Sequence, residues 1–346
     1  MAPTPDFAHL VPDVMLDAVE SVLGMRMSGL ATPLPSYINR VYEVQTMGGE
    51  RLIAKFYRPD RWSREAIEEE HAFTLDCVVD EIPVIAPMRL PSGETLHEAD
   101  GIYFALFEKR LGRQFEIHSR PDWLRVGNLL GRLHVVGSRK EAVHRTNIHP
   151  EESTADSINY LLDHELVAPS HRAQFEDLAD TILDESAELF DEDDFIRIHG
   201  DCHGGNILTR PGEGLCLIDF DDMMMGPAVH DLWLLLPGPV QECRFQVDLL
   251  IRGYEQFREF DDTSLRLVEP LRAMRMIYYL AWCGHQVEDY KFRHDHPQWG
   301  SDAFWQRENA DLDTQLQAIR TSLGHAGSSP RHYDAADTPE LPEAPI

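Results

Sequence analysis

The apolar positions of the chain change period several times, and each change predicts an element. Over residues 9 to 24, Leu10, Val14, Ala18 and Val22 fall near one face of a helix. Gly24 and Gly29 break that pattern, and Pro33-Leu34-Pro35-Ser36 reads as a loop. Arg40 to Thr46 reads as a strand, with Val41 and Val44 among polar neighbours. Gly48-Gly49 is a hairpin signal, Leu52 to Tyr57 is the return strand carrying Lys55, and Pro59 ends it. Residues 62 to 79 predict a helix, with Ile67, Glu70, Phe73 and Cys77 on roughly one side. Ile82-Pro83-Val84 and Ile102 to Glu108 read as further strands. These segments make a small sheet with one helix, ending near Glu108.

The remainder is mainly helical. Residues 121 to 137 carry Trp123, Val126, Leu129, Leu130 and Leu133 at helical spacing. Residues 156 to 167, 171 to 190, 240 to 258 and 264 to 287 also predict helices. Phe195 to Ile198 and Leu215 to Phe220 read as short strands between them. From about Gly324 the chain is rich in Pro, Ser, Asp and Glu and has little to bury, the composition of a disordered tail. The expected organisation is an N-terminal lobe over 1–108, a C-terminal lobe over 109–323 and a tail over 324–346, with no internal repeat.

Composition narrows the function classes. With 346 residues and 43% hydrophobic content the chain can bury a core spanning two lobes. No apolar run approaches the roughly 20 residues of a membrane span, and the start lacks the features of a signal peptide. Cys77, Cys202, Cys216, Cys243 and Cys283 form no CxxC pair, which fits a reducing, cytoplasmic setting. The formal net charge of -29 argues against a nucleic acid held through its phosphates and against anionic lipid. It fits a well-solvated surface, and it would also suit a basic protein partner.

The chemistry concentrates in His199-Gly200-Asp201-Cys202-His203-Gly204-Gly205-Asn206 and Ile218-Asp219-Phe220-Asp221. Phosphoryl transfer needs an oriented hydroxyl, neutralised phosphates and a held metal ion. Asp201 can orient a hydroxyl and accept its proton. Asn206 offers a neutral carbonyl oxygen, and Asp219 a hard anionic oxygen suited to Mg²⁺. The order H-x-D-x-x-x-x-N followed by D-F-x is that of a kinase catalytic loop and metal-binding segment. A zinc site from His199, Asp201 and His203 is opposed by the neighbouring glycines, which disfavour the helix that an i, i+4 pair requires. Other positions read less sharply. Arg113 and Arg145 are candidates for contact with phosphate or an acidic residue. His285, His294 and His296 fall in a polar loop beside Pro297. Met223-Met224-Met225 is expected to pack inward, Asp191 to Asp194 is an acidic turn, and Asp222 is expected to be an exposed carboxylate.

The two motif runs, His199 to Leu208 and Cys216 to Leu236, resemble the aminoglycoside phosphotransferase and choline kinase-like superfamily, relatives of protein kinases. Within it, four stretches resemble the bacterial stress response kinase A family of serine/threonine protein kinases: Pro35 to Tyr42, Ala54 to Trp62, Gly112 to Glu116 and Glu269 to Arg275. The resemblance covers roughly residues 5 to 310. It implies an α+β, bilobal protein-kinase-like fold with a hinge near Phe107 to Gly112. It also implies use of ATP and Mg²⁺ on serine or threonine hydroxyls of protein substrates in a stress response; a monomer is expected.

By the same resemblance Asp201 and Asp219 are active-site residues, with Asp201 the proton acceptor. Asn206 and Asp219 hold the metal, and Lys55 reaches the ATP phosphates with a helix glutamate as its partner; Glu70 is expected rather than Glu69, because it lies on the Ile67 and Phe73 side. Ser36 sits in the turn that covers the phosphates, and Asp231 braces the catalytic loop. The sequence departs from protein kinases in lacking G-x-G-x-x-G and A-P-E, in having Gly200 where many have Arg, and in having Asp221 after Phe220. Regulation by phosphorylation of an activation loop is therefore not expected. A small-molecule alcohol kinase would use the same residues. An inactive nucleotide-binding scaffold would normally lack one of Lys55, Asp201, Asn206 or Asp219, and all are present.

Overall fold

The computed structural model describes residues 7–210 and 212–324; the expected tail lies, from residue 325 on, outside the described residues. The chain begins with α1 (Pro12–Leu23), β1 (Met27–Leu34), β2 (Arg40–Thr46), β3 (Arg51–Phe56), α2 (Arg64–Val79), β4 (His97–Ala99), β5 (Ile102–Glu108) and β6 (Arg113–Gln114). It continues through α3 (Arg120–Gly137), α4 (Ala155–Asp163), α5 (Arg172–Ser186), β7 (Ile196–Ile198), β8 (Ile207–Arg210), β9 (Gly214–Leu217) and β10 (Met224–Gly226). It closes with α6 (Val229–Trp233), α7 (Arg244–Tyr254), α8 (Val268–Gly284), α9 (Tyr290–Asp295) and α10 (Asp302–Gly324). These elements form two compact units. One comprises the described residues of Met1–Ile117, Arg139–Arg145 and Asp201–Met223, and the other those of His118–Ser138, Thr146–Gly200 and Met224–Ile346.

The first unit is organised by a five-stranded antiparallel sheet of order β1-β2-β3-β5-β4. Strand alternation divides β3 between two environments. Leu52, Ala54 and Phe56 join Met15 and Val19 of α1, with Phe104 and Leu106 of β5, in one buried cluster. Tyr57 of the following turn clusters instead with Ile67 of α2 and with Ala105, the direct cross-strand partner of Lys55. Lys55 therefore lies on the α2 side of the sheet. Ser63 caps α2 by accepting a hydrogen bond from Ala66 N at 3.1 Å. The hairpin joining β2 to β3 turns at Gly49, whose φ of +89° suits glycine.

Where the expected and observed elements differ, the cause is local. Pro33 and Leu34 belong to β1 rather than to a loop; β1 is an edge strand, where proline costs no ladder bond, and its register shifts between Met27 and Ala31. Val84 makes a single parallel bridge to Leu217 and no full strand.

In the second unit, α4, α5, α8 and α10 enclose a core that includes Leu161, Phe175, Ile182, Ile277, Trp305 and Leu316. His294 lies in helix α9, not in a loop. α10 was not foreseen; Asn309 and Gln315 interrupt its apolar stripe, yet both are buried. Asn309 Nδ2 donates to His171 O at 3.1 Å, and Gln315 Nε2 donates to Glu269 O at 3.0 Å. Elsewhere in this unit α3 and α7 cross at backbone contact. A Cβ on Gly131 would stand 2.4 Å from Tyr254 O, and one on Gly253 would stand 2.2 Å from Leu124 O.

That crossing has no room for a methyl group. Gly131→Ala and Gly253→Ala should each destabilise the protein by about 1–3 kcal/mol, the usual range for overpacking. Chemical denaturation checks this, and unchanged midpoints would show that the helices can separate at little cost.

Candidate active site

All the predicted site residues fall within the first unit, except the brace Asp231. Lys55 is buried, and its Nζ is 3.0 Å from Asp221 Oδ1, 3.3 Å from Asp219 Oδ1 and 3.8 Å from Glu70 Oε1. It also lies 4.9 Å from the centre of the Tyr57 ring. Burial works against the ammonium charge, but Asp221, Glu70 and Asp219 outweigh burial and hold Lys55 well above its ordinary value of 10.5. Glu69 faces elsewhere, accepting from Val143 N and His144 N at 2.8 and 2.9 Å.

The carboxylates around Lys55 are balanced by two arginines. Arg61 pairs with both Asp221 and Asp222. Asp222 is thus a half-buried, paired residue and not the exposed carboxylate expected from the sequence. Burial would raise the Asp221 carboxyl, yet Lys55 and Arg61 pull it well below the usual carboxylate range. Arg145, with its side chain 0% exposed, donates from Nη2 to Glu70 Oε2 at 3.0 Å. Burial pushes the Glu70 carboxyl up, against the pull of Lys55 and Arg145. Arg145 therefore contacts acidic residues and does so from the interior. Arg113 lies exposed on β6, opposite Thr209 of β8.

Asn206 and Asp219 are brought together by a hairpin. Ile207 of β8 pairs with Leu217 of β9, and Ile218 N donates to Asn206 O at 3.0 Å. Their separation in sequence is thus the length of a two-strand excursion. Asp219 adopts a φ of +60° at the hairpin's end, and its side chain is 56% exposed. Asn206 Nδ2 donates to Asp201 O at 2.9 Å and to Asp201 Oδ2 at 3.2 Å. Both acceptors require the NH₂ on that side, so the carbonyl oxygen of the amide faces away from Asp201.

His203, weighed above only as a zinc ligand, shapes the same loop. Its Nδ1 accepts from Gly205 N at 2.9 Å, which places the imidazole proton on Nε2, 3.5 Å from Asp201 Oδ2. A Cβ on Gly205 would stand 2.5 Å from the His203 ring, so a side chain there would displace the imidazole from this hydrogen bond. Ser36 Oγ accepts from Asn39 N at 3.2 Å, closing the turn before β2. Arg58 ties down that turn by donating to Ile38 O and Tyr37 O at 3.0 and 3.1 Å.

In the second unit Asp231 is buried and accepts from His199 N at 2.7 Å and Gly200 N at 2.9 Å. His134 Nε2 stands 3.0 Å from the same carboxylate, and His134 Nδ1 is 3.0 Å from Tyr254 Oη. Burial would raise Asp231, but the His134 hydrogen bond and nearby histidines hold it below its ordinary value. The brace fixes the strand end that runs directly into Asp201.

The donor set suits a hard divalent cation. Among the described residues no group of three or more His, Cys, Asp or Glu converges to hold a metal. One amide oxygen and one accessible carboxylate, from Asn206 and Asp219, match Mg²⁺, which is commonly bound by one or two protein oxygens with phosphate and water completing the shell. The buried Lys55 adds a fixed positive charge beside Asp219.

These features define a phosphotransferase with a kinase-like α+β fold. Residues 31–268 match the phosphotransferase enzyme family. The chain is 40% identical over 315 residues to "Stress response kinase A" of Escherichia coli (strain K12), covering 91% of this chain and 95% of that protein. It is also 40% identical over 315 residues to "Serine/threonine protein kinase RdoA" of Salmonella typhimurium (strain LT2), covering 90% and 94%. Among solved structures it is similar to amicoumacin kinase hAmiN in complex with AMP-PNP, Ca²⁺ and Ami, with a TM-score of 0.69, 19% identity and coverage of 92% and 95%. A microcompartment-associated aminopropanol kinase gives a TM-score of 0.66 at 20% identity, covering 91% and 99%. The chain belongs to the phosphotransferase enzyme family, and within it to the kinases of the stress response kinase A group. No helix among the described residues is long and apolar enough to cross a membrane.

The support of Lys55 carries a pH signature. His71 lies between Tyr57 Oη, 2.9 Å from its Nε2, and Thr95 Oγ1, 2.8 Å from its Nδ1. Burial, with Lys55 and Arg145 nearby, lowers it from 6.5 to about 3. The unfolded chain therefore takes up this proton first. The stability linked to His71 is complete above its unfolded value and is lost as pH falls toward the folded one. Wild type should lose about 1.4 kcal/mol per pH unit more than His71→Gln between roughly pH 6 and 4. Denaturant titrations across that range test this, and parallel pH curves would contradict it.

Proposed function

We propose that this protein transfers the γ-phosphate of Mg·ATP to serine or threonine hydroxyls of protein substrates. The reading of the acceptor is carried by one observation, the 40% identity across nearly the whole chain to a relative named as a serine/threonine protein kinase. The reading of the chemistry is supported by Lys55, Glu70 and Asp219 at one locus and by Asp201 fixed to Asn206 in the same unit.

In this reading Lys55 binds the α/β-phosphates and Glu70 orients it. Ser36 lies in the turn that covers the phosphates. Asn206 and Asp219 hold Mg²⁺, whose charge neutralises the phosphate oxygens. Asp201 accepts the proton of the attacking hydroxyl, with Oδ2 oriented by Asn206 Nδ2. The residues through Glu108 act as the N-terminal kinase lobe and those from 109 onward as the catalytic lobe. The enzyme works as a monomer in the cytoplasm, with no nucleic acid or membrane partner. A small alcohol is the second acceptor class, favoured by the fold shared with aminopropanol kinase and amicoumacin kinase.

Incubation with γ-labelled ATP, Mg²⁺ and either a basic protein or a panel of amino alcohols separates the acceptors. Labelled protein is expected; turnover of a small alcohol alone would overturn the protein-kinase reading. Tight ATP binding without transfer would indicate a scaffold. Asp201→Ala should lower turnover about 10²–10⁴-fold, the usual share of general-base catalysis, while leaving the fold intact. Asp219→Ala should also weaken binding of Mg·ATP. Near wild-type turnover by Asp201→Ala would refute the assignment of the base.

A further inference from the structure

The short segment that follows α3, Arg139–Arg145, belongs to the first unit although the helix before it does not. It runs along α2 in the opposite direction and is fastened at successive points. Arg139 pairs with Asp80, and Lys140 Nζ is 2.8 Å from both carboxylate oxygens of Asp76. Val143 N and His144 N donate to the two oxygens of Glu69. Arg145 then reaches Glu70. Exposed pairs such as Lys140–Asp76 contribute little individually. The buried Arg145 does not share that weakness.

At Glu70 the two carboxylate oxygens are divided. Arg145 Nη2 holds Oε2 at 3.0 Å, and Oε1 faces Lys55 at 3.8 Å. The same nitrogen donates to Asp221 O at 3.2 Å and, more loosely, to Phe220 O at 3.5 Å. The guanidinium lies 4.2 Å from the centre of the Trp62 ring, which closes its other face to water. Arg145 thus sets the rotation of the Glu70 carboxylate and ties α2 to the backbone just after Asp219.

We propose that Arg139–Arg145 is a positioning strap for the nucleotide grip, and that Arg145 is the positioning residue that acts through Glu70 on Lys55. The proposal rests on the reading of Lys55 as a phosphate contact. The strap keeps the Lys55–Glu70 pair assembled without an activation-loop phosphate.

Binding of Mg·ATP to the full-length protein tests the strap independently of the acceptor. Wild type, Arg145→Met, Glu70→Gln and the double variant form a cycle, with melting followed in parallel. Each single change should raise the Kd for Mg·ATP about 10-fold. The double change should raise it no more than about 20-fold, because both remove the same link. A rise near 100-fold would show independent effects and overturn the proposal, as would an unchanged Kd in Arg145→Met. Should Arg145→Met fail to fold, Glu69→Ala replaces it in the cycle. It should raise Kd about 3-fold alone and add nothing in the Glu70→Gln background. An unchanged Kd in folded Glu69→Ala would equally overturn the strap. Failure of wild type to bind Mg·ATP would instead refute the phosphotransferase reading on which the strap rests.

Discussion

A lysine ammonium held on the covered face of a β-sheet must be met by carboxylates, because an unpaired buried charge is too costly to keep. Lys55 imposes that requirement on everything around it. Its place on β3 is set by alternation, with Leu52, Ala54 and Phe56 taken by the apolar face under α1. The opposite face must then supply anions, and Glu70, Asp219 and Asp221 do so from a helix and from a hairpin end. Those anions need cations in turn. Arg61 and Arg145 provide them, and the cluster alternates in sign from Arg61 through Asp221, Lys55 and Glu70 to Arg145. Removing any member takes a neutralising partner from at least one buried charge.

That geometry links Lys55 to Asn206 and Asp201. Asp219 faces Lys55 and also ends the hairpin whose first rung follows Asn206. Asn206 in turn fixes the carboxylate of Asp201. Lys55, Asp219, Asn206 and Asp201 are therefore joined through short covalent and hydrogen-bonded steps inside one unit. Asp231 performs a separate task in the other unit, holding the backbone of His199 and Gly200 at the root of the loop.

Features that depend on neighbours in sequence were legible from sequence. The β2–β3 hairpin at Gly48-Gly49 and the helix bearing Glu70 follow from local turn chemistry and period, whereas Asn206 and Asp219 were placed by motif order alone and the β8–β9 hairpin between them was not foreseen. Features that depend on distant partners were not. Arg145 lies 75 positions from Glu70, and Arg61 lies 160 from Asp221. No periodicity reveals such pairs, so Arg145 remained an undecided candidate and Arg61 went unnoticed. β1 was hidden by Gly29 and Pro33, residues an edge strand tolerates. α10 was hidden by Asn309 and Gln315, whose burial makes sense only with their backbone acceptors on other segments. His203 was hidden because its capping of Gly205 is a matter of ring position, not residue type.

In the proposed function Lys55 is a charge locked among carboxylates and presented to a nucleotide. The sequence contains only Lys55, Lys109, Lys140 and Lys291 as lysines, so each ε-carbon resonance can be followed by NMR. The account predicts that the Lys55 signal does not titrate up to pH 10.5, and that it alone shifts strongly on addition of Mg·ATP. A Lys55 signal that titrates at or below its ordinary value, or that ignores Mg·ATP, would contradict it.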